Sequence, residues 1–397
     1  MPGSSLRILF GFVGGRGHFE PLVAVARAAD AAGHLVAFMC GRSMVETVAA
    51  AGFTVLPTAA GPPPGRPERR PLLPVDMRRE ERDLRERFVR DGARSRAAAM
   101  LKRAGEWQPD LIVCDEVDFG SVIAAERLGL PYATVTVLAA GGFVRPDVVS
   151  EALDEIRAEH GLPPDPRLEA LSRYLVLVPA PPSLRHPADP VPRTAHGLQA
   201  NGPEPATDSG PPWPVTRPGA PAVYVTLGTI FNLESGDLFS RVLEGLRDHP
   251  GDVVLTVGEH LDPIELGPQP DNVHIEGYIP QGEILPNVDV VVSHGGSGSV
   301  LGALAHGLPM LIIAMGADQP LNAARCDALG VARVLDPIAA SPEDIREALQ
   351  EVLGDPAYRT AAQGLQDEMT RLPTPSQAVA LLERLARDRR PIAADTE

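Results

Sequence analysis

Residues 288–305, VDVVVSHGGSGSVLGALA, contain a strand pattern, a glycine-rich turn and a helix pattern in immediate succession. The apolar run Val288–Ser293 is typical of a buried strand, and the Ala- and Leu-rich run Val300–Ala305 is typical of a helix. The turn between them contains small residues whose backbone N–H groups can approach a ligand at the positive end of the helix. This unit predicts a parallel α/β sheet with an anion site, suited to a diphosphate, at the end of the strand.

Three side chains of this turn can add donors to the anion site. The His294 ring and the Ser297 and Ser299 hydroxyls can each donate a hydrogen bond to a phosphoryl oxygen, while Gly296 and Gly298 leave room for it. No Gly-Lys-Ser/Thr sequence follows, so the turn is not a Walker loop. A glycine turn that binds nothing is the alternative interpretation.

The same order of strand, turn and helix recurs in both halves of the chain. The predicted strands of the first half are Leu6–Gly11, His34–Met39, Leu111–Cys114 and Tyr132–Val137. Those of the second half are Val223–Leu227, Val253–Val257, Val273–Glu276, Val288–Ser293 and Met310–Ala314, and helix patterns such as Leu22–Ala32 and Ser121–Leu128 separate the strands. Continuous β-branched runs indicate parallel sheets covered on both faces. The sequence therefore predicts an α/β protein of two doubly wound, Rossmann-like domains that face each other across a cleft.

Changes in composition give the predicted domain boundaries. A stretch crowded with Gly and Pro predicts a linker at 201–221, between an N-terminal domain at 1–200 and a C-terminal domain at 222–375. Residues 376–397 are expected to form a helix that packs back toward the N-terminal domain, followed by a disordered tail after Arg390.

Charge and composition exclude several classes of protein. The 397 residues have a formal net charge of −16 and a hydrophobic fraction of 44%, which is ordinary for a folded soluble protein and argues against nucleic-acid and anionic-membrane partners. The three cysteines are far apart and form no C-x-x-C pair, so neither a disulfide framework nor a zinc site is expected. Without a signal-peptide or membrane-span pattern, we expect a cytoplasmic protein.

The turn after the first predicted strand places a histidine at the start of a helix. Residues 14–18, GGRGH, nearly match the dinucleotide-binding fingerprint, but Glu20 stands where its third glycine should be, and the second strand ends in Met39-Cys40-Gly41 without an acidic residue. NAD binding is therefore only weakly supported. The helix start disfavours an imidazolium, so His18 is expected to stay neutral and basic. A helix-capping role for His18 is the alternative.

Asp115 follows the predicted strand Leu111–Cys114 in the same domain. A carboxylate there can accept a hydrogen bond from one imidazole nitrogen of His18 and leave the other nitrogen free to take a proton. The alternative is a helix N-cap, a role that Asp118 or Ser121 could also fill.

Two further loops of the second half carry groups suited to a nucleotide sugar. Asp318 and Gln319, after the strand Met310–Ala314, offer acceptors and donors for vicinal hydroxyls. Tyr278, followed by Ile279, offers an aromatic plane on which a nucleobase can stack. Together with the glycine turn, these loops predict a nucleotide-sugar pocket.

These residues carry a family resemblance. The runs Tyr278-Ile279-Pro280-Gln281, His294 to Ser299, Gly316 to Pro320 and then Asn322 resemble the donor signature of family 1 glycosyltransferases with the GT-B fold. More narrowly, they resemble the bacterial macrolide/enediyne-type branch that acts on natural products. The resemblance implies an inverting, metal-independent transfer from a nucleoside diphosphate sugar, which is a co-substrate and not a cofactor.

The resemblance also implies roles for individual residues. His18 would be the general base and Asp115 its orienting partner. The donor would be bound by Gly228, Thr229, Tyr278, Ile279, His294, Gly296, Ser297, Gly298, Ser299, Asp318 and Gln319, with the last two on the sugar hydroxyls. Many UDP-using members carry a Glu that grips both ribose hydroxyls where this chain has Gly302, and its loss favours a dTDP donor over UDP.

The acceptor is not named by the sequence. The resemblance implies an apolar natural product such as a polyketide aglycone, bound by the N-terminal domain together with the Arg-rich insertion at Gly61–Arg96 and the region Gly141–Pro164. That insertion is either a solvated charged face or a mobile wall over a binding site. The oligomeric state is open, a homodimer included.

Several alternative functions stay open at this point. They are a UDP-sugar-using transferase, a sugar-nucleotide epimerase of similar fold, and a transferase-like auxiliary protein without turnover. Pyridoxal phosphate chemistry would need a Schiff-base lysine, and the one lysine, Lys102, lies on a charged helix. The chain has no D-x-D pair of the kind that metal-dependent transferases use.

Overall fold

The computed structural model describes residues 5–59, 68–200, 217 and 219–394. In this part of the chain the N-terminal half forms a seven-stranded parallel sheet in the order β3-β2-β1-β4-β5-β6-β7. The strands are β1 (Arg7–Gly11), β2 (Leu35–Cys40), β3 (Thr54–Pro57), β4 (Leu111–Asp115), β5 (Tyr132–Val135), β6 (Leu175–Val178) and β7 (Ala195–Gly197). Strand β1, which lies between β2 and β4, pairs Ile8 with Leu111 of β4 and Phe10 with Phe38 of β2, and all four residues are buried.

The C-terminal half forms a six-stranded parallel sheet within the described residues, in the order β10-β9-β8-β11-β12-β13. Its strands are β8 (Val223–Thr226), β9 (Val253–Thr256), β10 (Val273–Glu276), β11 (Val290–Ser293), β12 (Met310–Ile313) and β13 (Ala332–Leu335). Apolar side chains cover both faces of each sheet, as the continuous β-branched runs require.

Helices pack on both faces of the two sheets. They are α1 (Arg16–Ala31), α2 (Val45–Ala50), α3 (Met77–Asp83), α4 (Arg94–Trp107), α5 (Phe119–Leu128), α6 (Pro146–Glu159), α7 (Leu238–Gly245), α8 (Gln281–Ile284), α9 (Ser297–Ala305), α10 (Gln319–Ala328), α11 (Pro342–Gly354), α12 (Pro356–Arg371) and α13 (Pro375–Asp388). A π-helical segment, Leu84–Ala93, joins α3 to α4. The prediction of two doubly wound α/β domains is confirmed.

The strand orders fix the position of the site. In the first sheet the chain winds outward in opposite directions from β1 and β4, and in the second sheet from β8 and β11. Ligands of doubly wound sheets bind beyond the carboxyl ends of the strands at such reversal points. At these carboxyl ends lie Asp115, the last residue of β4, His18 in the first turn of α1, and the loop residues Gly228 and His294.

The predicted start of the first helix is wrong. Helix α1 begins at Arg16 and not near Leu22, because Gly15 adopts an extended conformation that lets the chain turn into the helix at once. Pro21 lies inside the helix, and because proline has no N–H it cannot donate to the carbonyl of Gly17. His18 is therefore a helical residue in the first turn.

The predicted disordered tail is also wrong as far as Ala394. Ile392 is buried, and its N–H donates to the Tyr174 carbonyl at 2.8 Å. The Ala394 N–H donates to the Arg193 carbonyl at 2.9 Å. Helix α13 and this tail pack on the N-terminal domain, although they follow the C-terminal one.

Some predicted features lie outside the described residues. These are most of the linker at 201–221, the first part of the insertion up to Pro67, and residues 395–397. Among the described residues, no helix combines the length and the hydrophobicity that a membrane crossing requires. Cys40, Cys114 and Cys326 are free thiols in the buried interior.

Candidate active site

A histidine–aspartate pair lies at the carboxyl edge of the N-terminal sheet. The Nδ1 atom of His18 is 3.4 Å from Oδ2 of Asp115, the last residue of β4. Asp115 is fully buried, and its two oxygens accept the N–H groups of Val13 at 2.8 Å and Val117 at 2.7 Å. These bonds fix the carboxylate, while the His18 side chain is 24% exposed toward the cleft.

The capping alternative for Asp115 is settled by its neighbour. Asp118 is the N-cap of α5 and accepts the Ser121 N–H. Asp118 also forms a buried ion pair with Arg96. Asp115 is therefore free of a capping role and faces His18.

The pKa of His18 is shifted in the direction opposite to the sequence expectation. Burial lowers the pKa of the imidazole, but Asp115, and Asp318 from the C-terminal domain, outweigh burial, so that the pKa lies above the ordinary 6.5. The expected Asp115 carboxylate is present, but the second carboxylate, Asp318, was not anticipated. That carboxylate comes from the other domain, 300 residues further along the chain.

The glycine turn after β11 leads into α9 as predicted, but the helix begins at Ser297, three residues before the predicted Val300. The first helical bond runs from the Val300 N–H to the Gly296 carbonyl, so the N–H groups of residues 297–299 precede the helical ladder. The His294 ring lies against this turn: a Cβ atom on Gly296 would be 2.4 Å from its Nε2, and one on Gly228 2.6 Å. Burial lowers the pKa of His294 to about 4, which keeps the ring neutral.

The Ser297 hydroxyl is engaged differently from its predicted role. It donates to Oδ2 of Asp318 at 2.8 Å and accepts the Ala139 N–H at 2.8 Å. What Ser297 offers an anion in this structure is thus its backbone N–H. Ser299 is buried behind the turn, whereas Gly298 and Thr229 are exposed at the mouth of the site.

Asp318 and Gln319 lie at the start of α10, on the C-terminal side of the cleft. Besides Ser297, Oδ2 of Asp318 accepts the Asn322 amide at 2.8 Å, and burial raises the pKa of the Asp318 carboxyl. Oε1 of Gln319 accepts the Met315 N–H at 2.9 Å, so this side-chain oxygen stabilises the loop between β12 and α10. Asn322 belongs to the donor-signature motif that begins at Gly316, but no role was predicted for it.

On the predicted nucleobase side of the pocket, two residues have neighbours that were not predicted: Tyr278 and Gly302. The Arg16 guanidinium lies 4.9 Å from the centre of the half-exposed Tyr278 ring, and Ile279 is buried beneath. A Cβ atom on Gly302 would be 2.5 Å from Oε1 of Gln281. The Gln281 side chain thus occupies the space that a larger residue at position 302 would need.

The described part of the Arg-rich insertion touches the C-terminal domain. Oε2 of Glu80 accepts the N–H of Ala317, next to Asp318, at 2.9 Å. The Arg70 N–H donates to the Leu233 carbonyl at 2.8 Å, and Arg69 pairs with Glu265. The described part of the insertion is therefore bonded to the C-terminal domain, although many of its charged side chains remain exposed to solvent.

Nothing in the described parts of the chain resembles a metal site, since no group of three or more His, Cys, Asp or Glu side chains is arranged to hold an ion. The acidic residues of the cleft are instead held by hydrogen-bond donors: Asp115 by backbone N–H groups, and Asp318 by Ser297 and Asn322.

Comparison with known proteins identifies the fold and the class of enzyme. Residues 240–385 match the family model "Erythromycin biosynthesis protein CIII-like, C-terminal domain". The chain is 29% identical to the 4'-demethylrebeccamycin synthase of Lentzea aerocolonigenes, over 96% of this chain and 99% of the relative. It is 27% identical to the 3-alpha-mycarosylerythronolide B desosaminyl transferase of Saccharopolyspora erythraea, over 97% and 99%.

Solved structures agree over the whole length. The calicheamicin glycosyltransferase CalG4 superimposes with a TM-score of 0.77 at 26% identity, covering 97% of this chain and 99% of that one. The spinosyn rhamnosyltransferase SpnG, complexed with thymidine diphosphate, gives 0.77 at 26% identity, covering 95% and 100%. The chain is therefore a glycosyltransferase of the GT-B fold, with an EryCIII-like C-terminal domain and homologues among the glycosyltransferases of antibiotic biosynthesis.

Proposed function

We propose that the protein transfers a sugar, with inversion and without a metal ion, from a dTDP-sugar to a hydroxyl of an apolar natural product such as a polyketide aglycone. His18, with Asp115 behind it, is the general base. The observation that carries this proposal is the contact of 3.4 Å between His18 Nδ1 and the fixed, buried Asp115 carboxylate, at the edge of the sheet that faces the donor loops.

The pairing decides which imidazole nitrogen reacts. Asp115 faces Nδ1 and favours a proton there, so Nε2 takes the proton of the acceptor hydroxyl. As that proton moves to Nε2, the acceptor oxygen forms its bond to the anomeric carbon, and the bond from this carbon to the diphosphate oxygen breaks. Asp115 stabilises the resulting imidazolium. A single displacement of this kind inverts the anomeric configuration, and a positioned base contributes about 10²–10⁴-fold.

The leaving diphosphate takes the electron pair of the broken bond. The N–H groups of residues 297–299 at the start of α9, with the neutral His294 ring beside them, stabilise this negative charge. Asp318 and Gln319 would contact the sugar hydroxyls from the adjoining loop. The N–H groups of residues 297–299 and the His294 ring would thus supply the charge stabilisation that a divalent cation provides in metal-dependent transferases.

The ribose side of the pocket supports the proposed donor nucleotide. With Gly302 in place of an acidic residue, and Gln281 filling the space beside it, no carboxylate grips the ribose hydroxyls from this position. Losing such a bidentate acceptor matters little for 2′-deoxyribose. The relative SpnG, whose structure is complexed with thymidine diphosphate, supports the same donor class.

The acceptor would occupy the N-terminal side of the cleft. The α3 region, which carries Glu80, and the region after Gly141 frame that side. Curated relatives are named for transfer to erythronolide and tylactone, which supports an apolar polyketide acceptor.

Calorimetric binding of dTDP, UDP, GDP and NAD⁺ in EDTA tests the donor assignment. We expect dTDP to bind most tightly and to stabilise the fold by about 2.7 kcal/mol at 100 times its dissociation constant. Transfer from dTDP-hexoses to a panel of macrolactone and aromatic aglycones, with the anomeric configuration of the product determined, tests the reaction. Tighter UDP binding would overturn the dTDP assignment, product formation without an acceptor would indicate an epimerase, and binding without turnover an auxiliary protein.

A further inference from the structure

Four successive backbone N–H groups, those of residues 137–140, are divided between the two domains. The first two, from Val137 and Leu138, donate to Oε1 of Glu116 at 2.6 and 2.7 Å. The next two cross the cleft: Ala139 donates to Oγ of Ser297 at 2.8 Å, and Ala140 to Oδ1 of Asn322 at 3.0 Å. This short segment therefore hydrogen-bonds both halves of the molecule.

Its N-terminal anchor lies beside the proposed base pair. Glu116 follows Asp115 directly, and its own N–H donates to the Val135 carbonyl at 2.9 Å, so the residue is tied to β5 as well. A displacement of residues 137–138 is thus transmitted to the end of β4, where Asp115 faces His18.

Its C-terminal anchor lies among the donor loops. Asn322 is 1% exposed, and its amide nitrogen donates to the Gly295 carbonyl at 3.0 Å, to Oγ of Ser297 at 3.2 Å and to Oδ2 of Asp318 at 2.8 Å. One side chain thus joins the glycine turn, the start of α9 and the Asp318 carboxylate, while its remaining oxygen binds the N-terminal domain through Ala140.

We propose that residues 137–140 are a coupling segment that sets the His18–Asp115 pair in register with the donor loops, and that Glu116 and Asn322 are the positioning residues at its two ends. This inference rests on the proposed function, in which the base comes from one domain and the donor from the other. Asn322 touches neither substrate in this account. It acts through Ala140 and Asp318.

The segment affects the reaction through geometry. Transfer requires the acceptor oxygen, held by the N-terminal domain, to stand about 3–3.5 Å from the anomeric carbon held by the C-terminal domain, and a misplacement of about 1 Å costs on the order of 10²-fold in rate. The diphosphate loop belongs wholly to the C-terminal domain, so binding of dTDP alone does not need this register.

Three substitutions and one matched control test the proposal. Asn322→Ala removes the acceptor of the Ala140 N–H, and Glu116→Ala removes that of Val137 and Leu138. Glu116→Gln keeps an oxygen acceptor at the same position and removes only the charge. Asn272→Ala is the control, because Asn272 is 4% exposed and its amide also donates to two backbone carbonyls, at 2.9 and 2.7 Å, but it lies at the opposite edge of the C-terminal sheet.

Hydrogen exchange of the amides of residues 137–140 is measured in each variant, together with the dTDP affinity and the kcat of transfer. We expect Asn322→Ala to speed exchange at Ala139 and Ala140 by at least about 10-fold and to lower kcat by about 10²-fold. Glu116→Ala should lower kcat with dTDP affinity within about threefold of wild type, because Glu116 lies in the N-terminal domain, away from the diphosphate turn. Glu116→Gln should restore most of the kcat that Glu116→Ala loses. Asn272→Ala should lower stability without changing exchange in the segment or kcat.

Unchanged exchange at Ala139 and Ala140 in Asn322→Ala would overturn the proposal, as would an equal loss of kcat in the Asn272→Ala control. A Glu116→Gln variant as impaired as Glu116→Ala would also overturn it, because charge and not the hydrogen-bond acceptor would then matter. The exchange experiment needs no turnover, so a failure of the proposed function leaves the coupling segment testable on its own.

Discussion

At the scale of single residues, the imidazole of His18 is subject to opposing influences. Burial disfavours its charged form, while Asp115 and Asp318 favour it and raise its pKa above 6.5. A base with a raised pKa is a stronger proton acceptor, but it is inactive in its protonated form at lower pH. The rate of transfer should therefore fall about tenfold per pH unit below that pKa.

Asp115→Asn tests this relation between the carboxylate and the base. Removing the charge lowers the pKa of His18, so the acidic limb of the pH–rate profile should move to lower pH while the maximal rate falls by at least about 10-fold. Asp110→Asn is the control, since Asp110 accepts the Arg7 N–H just before the other end of β4. An acidic limb that stays in place in Asp115→Asn would contradict the pairing.

Gly228 shows how closely the donor site is packed. Its φ is +76°, and a Cβ atom would stand 2.6 Å from Nε2 of His294. Gly228→Ala should weaken dTDP binding by about 10-fold or more, because the His294 ring must move away from the diphosphate turn. Gly267→Ala separates backbone strain from this clash, since Gly267 has a φ of +70° and no atom near its Cβ position.

Calorimetry with dTDP and thermal unfolding measure both effects. The Gly267 variant should lose stability, by about 1 kcal/mol, without losing dTDP affinity. Equal affinities for the Gly228 variant and wild type would show that the His294 ring does not support the diphosphate.

Single residues were predictable where a local pattern defines them. The glycine turn and His294, and Asp115 at the end of a strand, follow from sequence spacing. The role of Ser297 did not, because its hydroxyl partners, Asp318 and Ala139, lie 21 and 158 residues away. Asn322 was overlooked for the same reason, although its spacing of four from Asp318 on a helix was a usable signal.

At the scale of elements, the ends of the buried strands that were predicted are correct to within two residues, because the β-branched runs of these strands are continuous. Strands β3, β6, β7 and β13 were missed. Of these, β3, β7 and β13 lie at sheet edges and consist mostly of half-buried residues, so their sequences lack the continuous apolar run of a buried strand. The start of α1 was misplaced because the apolar helix pattern begins at Leu22, whereas the helix itself begins directly after the extended Gly15.

The packing of helix α13 on the N-terminal domain should stabilise the fold. Leu382 and Leu385 are fully buried in the core of the N-terminal domain. Leu382→Ala should therefore lower the free energy of unfolding by about 2–5 kcal/mol, measured by urea denaturation. Arg384→Ala, on the exposed side of the same helix, should change it by less than about 0.5 kcal/mol. Similar values for both variants would contradict the packing described here.

At the scale of the whole molecule, two sheets present their reversal points to one cleft, and the groups of the site are divided between them. The two-domain arrangement followed from the sequence because each half repeats the same pattern. The contacts across the cleft did not, because bonds such as Glu80 to Ala317 join residues 237 positions apart and have no local signature.

The central claim is that a base from one domain acts on a donor bound by the other. The most direct test is to measure transfer and dTDP affinity in parallel for His18→Ala, on an aglycone that the wild type glycosylates. The account predicts a loss of turnover of at least about 10²-fold with dTDP affinity close to wild type, because the diphosphate site contains no group from α1. Unchanged turnover in this variant would contradict it.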